Sequence, residues 1–459
     1  MLREQSRHFD RRSSFRGHPQ KVVSRWGRVP IKTVLAALAT YATLLLQNAH
    51  SETSARLGGD LTSDLPFPLA LQVAAPNVTA PERRELQASG FAPFHRLRTQ
   101  EEGLGPLFVN NSCGGCHVNN GRGPANVSRS PALASQMVVK LRIRGRRGLS
   151  ASEMGSQLLD HSTQGSAPLS ARLSWAFTEG QYHDGTRYQL RTPKVILHPK
   201  NSSAGRVATS LRMAPPIIGP GLLEAVPWTT LFKLSFAQDA LKDGVTGRLN
   251  WVNDARSGSL TVGRFGFKAT HPTVEQQTAA ALYTDMRMTN PIFHDENLTA
   301  EVSESELSAL TMYQRLGGVP AAHYQSSPRA AAGKGIFFSL GCELCHRSTL
   351  LTGKHEDPEL THQTIHPYSD LLIHNMGPGL ADGVEELGAT GAEWKTTPLW
   401  GLHLLDDRSK ASVYLHDGRA RTIEEAILWH GGEAARAQHR FTRLSKRERA
   451  DLIHFLRSL

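Results

Sequence analysis

The stretch Cys342-Glu343-Leu344-Cys345-His346 decides the fold, and one other stretch repeats its pattern, Cys113-Gly114-Gly115-Cys116-His117. Each has two cysteines separated by two residues and followed at once by a histidine, and together they contain all four cysteines of the chain. This spacing attaches a c-type haem, because two thiols add to the haem vinyl groups and the adjacent imidazole binds the iron. The sequence therefore predicts two covalently bound haem c groups. The predicted attachment residues are Cys113, Cys116, Cys342 and Cys345, and the predicted proximal iron ligands are His117 and His346.

Three other uses of paired cysteines explain less of this pattern. A thioredoxin-like dithiol needs no histidine beside its second cysteine, and a zinc site needs further cysteine ligands that the chain lacks. Disulfides within each pair would suit an exported protein, but they leave both adjacent histidines unexplained. Haem attachment accounts for the cysteines and the histidines together.

The composition is that of a globular protein with enough chain for two or three domains. Of the 459 residues, 39% are hydrophobic and 20% are charged. The formal net charge is +11, but residues 1–32 contain nine Lys or Arg against two Asp or Glu, and residues 33–51 contain no charged residue. The remaining 408 residues carry only +4, so a nucleic-acid partner is not expected.

The N-terminus has the layout of a secretory signal peptide. A basic stretch is followed by the uncharged, mostly apolar run Thr33–Leu46 and then by small residues, which predicts a signal peptide over 1–51. As a helix, 14 residues span roughly 21 Å, short of a bilayer core of about 30 Å. We therefore expect an exported, periplasmic protein, with an uncleaved anchor as the alternative. Any membrane contact would then be made through the N-terminal segment alone.

The rest of the chain predicts a mainly α protein with two cytochrome c-like haem domains. We expect an irregular linker at 52–89, an N-terminal haem domain at 90–325 and a compact C-terminal cytochrome c domain at 326–459. The stretch between the two motifs is longer than one cytochrome unit needs, and Met137–Ile143 alternates apolar and polar residues as a half-buried strand does. The N-terminal domain is therefore expected to be enlarged by a long mixed α/β insertion.

The sixth iron ligands are not set by the motifs, although they decide what each haem can do. For the second haem the candidates are Met376, His416 and His430, each beside a glycine or within two residues of one. For the first haem, His183, His198 and His271 are available, but none lies in a recognisable ligand context. The residues alone leave both positions open.

Four stretches carry a family resemblance: Leu104–Gly123, Ala214–Pro227, Gly263–Asn290 and Tyr368–Gly432. The last contains Tyr-Leu-His-Asp-Gly-Arg followed by Glu-Glu-Ala-Ile-Leu-Trp-His-Gly-Gly. Together they resemble the di-haem oxidoreductase family of peroxidases, which is related to the bacterial di-haem cytochrome c peroxidases. The resemblance implies His346 and His430 as the ligands of the second haem, with Met376 as the alternative to His430. It makes His416 a neighbour of the haem rather than a ligand.

The resemblance also implies how the first haem would work. In those peroxidases this haem opens to bind peroxide, and a helical Glu-Gln pair nearby shuttles protons. The match here is Glu275-Gln276, with Glu224 as a second candidate acid or base. A glutamine cannot shuttle a proton, so the register decides whether peroxidase activity is expected. Phe267 stands where relatives usually have tryptophan, which would remove an oxidisable residue if that position relays electrons between the haems.

The loop from Asp239 to Gly247 resembles a degenerate calcium loop, and the related peroxidases bind Ca²⁺ between their domains. Its carboxylates are few for a calcium ligand set.

We expect an exported di-haem c-type cytochrome with peroxidase-like oxidoreductase activity. A small electron-carrier protein would reduce the C-terminal haem, and the N-terminal haem would reduce peroxide or a related small oxidant. The alternative is a non-catalytic electron-transfer cytochrome that serves a partner protein.

Overall fold

The computed structural model describes residues 56–123, 137–143, 157–198, 207–241, 243–294, 300–405 and 413–459. The chain divides into the units Met1–His50 and Ser51–Leu459, and only the second contains described residues. The predicted signal peptide therefore lies outside the described residues. Within the described part of the chain, no helix is long and apolar enough to cross a membrane.

The helices begin at residues that supply the missing hydrogen-bond partners of a first turn. Ser303, Ser327, Thr422 and Ser445 each accept a hydrogen bond from the backbone N–H three residues later, as N-cap side chains do. The α-helices are α1 (Leu69–Gln72), α2 (Pro81–Ser89), α3 (Phe91–His95), α4 (Cys113–Cys116), α5 (Pro220–Glu224), α6 (Trp228–Leu241), α7 (Val274–Asp285), α8 (Glu304–Arg315), α9 (Pro328–Leu340), α10 (Ile423–Leu428), α11 (Ala435–Thr442) and α12 (Lys446–Leu456).

The strands pair two by two, and every sheet in the described residues has two strands. The strands are β1 (Thr62–Ser63), β2 (Leu107–Phe108), β3 (Met137–Ile143), β4 (His161–Ser162), β5 (Ser170–Gln181), β6 (Arg187–His198), β7 (Val207–Met213), β8 (Trp251–Asn253), β9 (Leu260–Val262), β10 (Val319–Pro320), β11 (Leu350–Leu351), β12 (Thr364–Ile365), β13 (Ile373–Asn375) and β14 (Glu393–Lys395). The pairs are β1–β10, which is parallel, and the antiparallel β2–β4, β3–β7, β5–β6, β8–β9, β11–β12 and β13–β14.

The expectation of a mainly α protein is wrong. Of the residues that the structure describes, 35% are helical and 20% are in strands, which is a mixed composition. The predicted strand Met137–Ile143 is present, but β5 and β6 form a long antiparallel hairpin that the sequence analysis missed. Only the start of β5 alternates, with Ala171 and Leu173 buried. Beyond that point the strand is mostly exposed, so its sequence lacks the alternation by which a half-buried strand is recognised.

The stretch 52–89, expected to be an irregular linker, is part of the packed structure where it is described. Leu57, Leu61 and Leu71 are fully or almost fully buried in the main hydrophobic cluster, and α2 packs along α8. These elements are too short to show a periodic hydrophobic pattern in the sequence, and their stability comes from tertiary packing. The predicted division into 90–325 and 326–459 stays a prediction.

The C-terminal part packs α9 against α12. Helix α12 is amphipathic, since Leu452, Phe455 and Leu456 are buried on one side of it. Gly333 of α9 allows the close approach, because a Cβ there would meet the carbonyl oxygen of Asp451 at 2.0 Å. This pair of helices supports the second cysteine motif, which follows α9 directly.

Candidate haem-binding centres

The second motif is delivered by the end of α9. The helix stops at Gly341, which has a φ of 86°, and Cys342–Leu344 form a single 3₁₀ turn. His346 then donates a hydrogen bond from Nδ1 to the backbone oxygen of Tyr368, at 2.9 Å. This bond fixes the ring orientation and leaves Nε2 free, which is how metal-binding histidines are held.

His430 faces His346 across a gap of the right width for one metal ion. Its Nδ1 donates to the backbone oxygen of Ala426 at 2.8 Å, so its Nε2 is also left free. The two ring centres are 6.4 Å apart. Two imidazoles sharing one metal have ring centres about 6 Å apart, from two metal–nitrogen bonds of about 2 Å plus about 1 Å within each ring. The spacing supports His430 as the ligand opposite His346.

Met376 lies beside the same segment. It follows β13, and its backbone oxygen would be 3.0 Å from a Cβ placed on Gly431, the residue after His430. The structure therefore brings both sequence candidates for the sixth position close together. The ring spacing favours His430, and the choice between the two stays a prediction.

A charged cluster missed by the sequence analysis borders Cys345. His374 is buried between Asp370, whose oxygen is 3.0 Å from Nε2, and Glu433, whose oxygen is 2.7 Å from Nδ1. Burial lowers the pKa of His374, but hydrogen bonding and attraction to Asp370 outweigh it, so the pKa is raised well above its ordinary value. The Sγ of Cys345 lies 3.6 Å from Nδ1 of His374. A buried imidazole held between two carboxylates thus lies directly beside a predicted haem attachment point.

The first motif forms the short helix α4. The Ser112 hydroxyl caps it by accepting a hydrogen bond from the Gly115 N–H at 3.0 Å. The two glycines of the motif allow close packing, since a Cβ on Gly114 would meet the His95 ring at 2.7 Å. His117 donates from Nδ1 to the backbone oxygen of Pro215 at 2.8 Å and so has the same arrangement as His346.

The four cysteines of the two motifs are partly buried. All four are free thiols, so the disulfide alternative finds no support. Burial raises the pKa of Cys113 and of Cys342 to about 12 in each case. Thiols with raised pKa values are poor nucleophiles and poor thiolate ligands. Together with the two histidines held through Nδ1, these residues fit a haem at each motif.

An aromatic stack lies next to residues that border each motif. His416 stacks on Trp394 with ring centres 3.6 Å apart and planes inclined by 12°, and the ring centre of Phe267 lies 6.3 Å from that of His416. The backbone oxygen of His416 accepts from the Met213 N–H, two residues before Pro215. Trp394 pairs with His374 across β13–β14. The stack therefore spans from the neighbour of Cys345 to the segment that orients His117.

The comparison with protein families decides the identity. A match to the family described as "Di-haem oxidoreductase, putative peroxidase" covers residues 200–312 and 298–459, which is more than half of the chain. The chain belongs to the di-haem oxidoreductase family. The family resemblance in the sequence is thereby confirmed, and haem is the cofactor type that membership implies.

Comparison with solved structures finds a similarity to Kuenenia stuttgartiensis hydrazine synthase pressurised with xenon. The identity is 14%, the alignment covers 86% of this chain and 93% of that chain, and the TM-score is 0.38. No curated protein matches this di-haem oxidoreductase.

The three predicted acid–base residues of the di-haem oxidoreductase meet at the first turn of α7. Glu224 accepts a hydrogen bond from the Val274 N–H at 3.2 Å and is held by Arg315 at 2.8 and 3.0 Å. The Gln276 amide is bound to the backbone of the β8–β9 hairpin, accepting from Ala255 and donating to Asn253. These partners give Glu224 and Gln276 a structural role.

Glu275 is the member of the three that faces open space. It lines a cleft of about 410 Å³ and is paired with Arg256 through two hydrogen bonds of 2.7 and 3.1 Å. The same arginine also binds Glu304 at 2.5 Å. Of the predicted acid–base residues, Glu275 is therefore the one that solvent protons reach most directly.

Of the other sequence candidates, His183 and His198 lie on the β5–β6 hairpin, and His271 lies three residues before Val274, the first residue of α7. His183 is at the tip of the β5–β6 hairpin, where its N–H donates to the oxygen of Thr442, and His198 ends β6. His271 forms a β-bridge with Phe265. In the loop 239–247, the Asp243 carboxylate accepts from the Val245 N–H at 3.1 Å. Among the described residues, the clusters able to hold a metal lie elsewhere, at Cys345, Asp370 and His374 and at His355, Glu356 and Asp357, and the calcium loop stays a prediction.

We predict that His416 makes the stability of the protein fall as the pH is lowered from about 6.5 towards 3. Burial lowers the pKa of His416 from 6.5 to about 3, and the neighbouring arginines act in the same direction. Between these values the unfolded chain binds a proton that the folded chain does not, so acid favours unfolding. Replacing His416 with phenylalanine keeps an aromatic ring against Trp394 and should flatten the dependence, as measured by urea unfolding across this range. An equally steep dependence in the variant would assign the effect to other groups.

Proposed function

We propose that this di-haem oxidoreductase is an exported, periplasmic c-type cytochrome that reduces peroxide with electrons from a small electron-carrier protein. The observation that carries the proposal is the pair of imidazoles of His346 and His430, 6.4 Å apart and both held through Nδ1. A closed, six-coordinate iron transfers electrons without binding substrate. The second motif therefore suits the role of electron entry.

The residues between the motifs support an internal electron route. The Trp394–His416 stack continues through the hydrogen bond from Met213 to His416 and ends at Pro215, which orients His117. Bound haem supplies one-electron chemistry, and an open position at the first iron would admit peroxide. Reduction of one peroxide to two waters consumes two electrons and two protons. Glu275 is assigned to proton delivery because it lines a cleft, whereas Gln276 carries no acidic proton.

Spin-state measurements test the proposal. The protein as purified should contain two covalent haems by mass and should be examined by electron paramagnetic resonance, fully oxidised and then half-reduced, before and after peroxide. A high-spin signal that peroxide consumes is expected. Two low-spin signals that are indifferent to peroxide in both states would contradict peroxide reduction.

Such a result would favour the second candidate, a non-catalytic electron-transfer cytochrome. One observation supports this alternative. Glu224, Glu275 and Gln276 are all engaged by arginines or by backbone groups.

Replacing Glu275 with glutamine should slow the reaction with peroxide by about 100-fold, because the neutral amide cannot transfer the proton. The matched control is Glu304→Gln, which removes a carboxylate bound to the same Arg256 without touching the cleft-lining group. The rates are measured by stopped-flow mixing with hydrogen peroxide. Equal slowing in both variants would mean that the charge pair, rather than a proton, is what matters.

A further inference from the structure

Helix α6 presents an aromatic surface to solvent. Trp228, Phe232 and Phe236 follow each other at intervals of four residues and so lie along one side of the helix. Trp251 of the β8–β9 hairpin extends this surface, with its ring centre 6.1 Å from that of Trp228. We refer to these four residues as the aromatic patch. Their exposed fractions are 47% for Trp228, 49% for Phe232, 69% for Phe236 and 45% for Trp251.

Another side of α6 lies against the second haem motif. Gln238 is buried and donates hydrogen bonds to the backbone oxygen of Leu344 at 2.7 Å and to the carboxylate of Asp370 at 2.9 Å. Leu344 is inside the motif itself. A helix is about 10–12 Å thick including its side chains, so the patch is separated from the motif by roughly one helix diameter.

The size of the patch indicates the kind of partner. An aromatic side chain carries about 150–250 Å² of surface, so the exposed parts of the four rings amount to roughly 300–500 Å². Weak electron-transfer complexes bury less than about 600 Å² per partner, whereas obligate dimers bury about 1,000 Å² or more. The area fits a transient complex and is too small for a permanent second copy.

The charges around the patch indicate the chemistry of the partner surface. None of its four members is charged, and the exposed Lys233 and Asp239 nearby have opposite signs. Long-range steering by charge is therefore weak at this surface, and contact with an uncharged, apolar surface is favoured. A partner whose contact surface is ringed by lysines would gain no electrostatic attraction at this patch.

We propose that the aromatic patch is the docking surface for a small electron-carrier protein whose redox centre is rimmed by uncharged apolar residues. This inference rests on the proposed function, because it takes the second motif as the point of electron entry. The carrier gives up one electron, which passes through the thickness of α6 to the haem at Cys342 and Cys345. The carrier is oxidised by one electron, the haem iron is reduced by one, and no bond is made or broken.

The test compares reduction of the complete protein by a protein carrier and by a small molecule. The probes are a reduced single-haem cytochrome c with an uncharged haem edge, another with a lysine-ringed edge, and ascorbate with a phenylenediamine mediator. The variant is Phe232→Ser with Phe236→Ser, and both positions are exposed. The matched control is Phe177→Ser, an exposed phenylalanine (57%) on β5.

We expect the double variant to accept electrons from the uncharged carrier about tenfold more slowly and to bind it more weakly in surface plasmon resonance. Its reduction by ascorbate should not change, and Phe177→Ser should behave as the unaltered protein. The rate should depend little on salt. Equal rates for the variant and the unaltered protein would overturn the docking surface, and so would failure of both carriers while ascorbate still reduces the haems.

Two other occupants of the patch would be revealed by separate measurements. If the protein binds vesicles of phosphatidylcholine and phosphatidylglycerol and the double variant does not, the patch binds a membrane surface and not a carrier protein. If sedimentation shows a dimer that the double substitution dissociates, the patch binds a second copy of this chain and not a carrier protein. If the protein does not react with peroxide but its reduction by the carrier still depends on the patch, the proposed peroxidase function is wrong and the docking surface stands.

Discussion

Replacing His430 with alanine should abolish the low-spin signal of the second haem while both haems remain covalently attached. The imidazole of His430 faces that of His346 at 6.4 Å, so its removal opens one side of the iron. A bis-imidazole iron is low-spin, and loss of one imidazole is expected to give a high-spin form with a shifted potential. Electron paramagnetic resonance and a redox titration of the purified variant would report both changes.

The matched control for this substitution is Met376→Ala. Because the backbone of Met376 lies beside Gly431, the substitution tests whether any change near the haem disturbs the iron. The Met376 variant should keep the low-spin signal. If instead the His430 variant is unchanged and the Met376 variant turns high-spin, methionine is the ligand and our assignment is wrong.

Replacing Arg315 with methionine should lower the free energy of unfolding by about 3–5 kcal/mol, because a buried carboxylate would lose its charge partner. Arg315 binds Glu224 through two hydrogen bonds and also contacts Asp357 at 3.3 Å. Burial acts to lower the pKa of Arg315, but the attraction of Glu224 outweighs it, so the pKa is raised above its ordinary value. Asp357 keeps a second partner in Arg83, whereas Glu224 would be left with the Val274 N–H.

The comparison for Arg315 is an exposed ion pair of the same type. Arg56 pairs with Asp60 at 2.9 Å with both side chains exposed, so Arg56→Met should cost less than about 1 kcal/mol. Unfolding in urea, followed by circular dichroism, measures both variants. A cost for Arg315→Met as small as that for Arg56→Met would mean that Glu224 finds water or another partner once the arginine is removed.

The two motifs are recognisable in the sequence because haem attachment requires a fixed local spacing, and their role stays a prediction. The cysteines and histidines of a motif are neighbours in the chain, and the strand at Met137–Ile143 is an equally local feature. His430 was reached through the family resemblance, since nothing near it in the sequence points to His346, 84 positions earlier.

The features that were missed arise between distant parts of the chain. Asp370 and His374 gave a weak local signal at a spacing of four residues, but Glu433 joins them only through folding. Trp394 and His416 become a stack only because β13–β14 places Trp394 opposite His374. The β5–β6 hairpin is exposed along most of its length, so hydrophobic alternation, which reports burial, does not mark it.

The tip of that hairpin has a consequence for how the chain assembles. Tyr182 packs edge-on against Phe441, and Asp184 forms an ion pair of 2.9 Å with Arg449, 265 positions later. Contacts between residues so far apart in the sequence form late in folding, because a long loop must be ordered before they form. Synthesis of the first 325 residues therefore leaves the hairpin without its partners, and residues 326–459 produced alone lack the surface on which Phe441 rests. The two parts of the chain that contain the motifs are therefore expected to finish folding together, after the last stretch of chain has been synthesised.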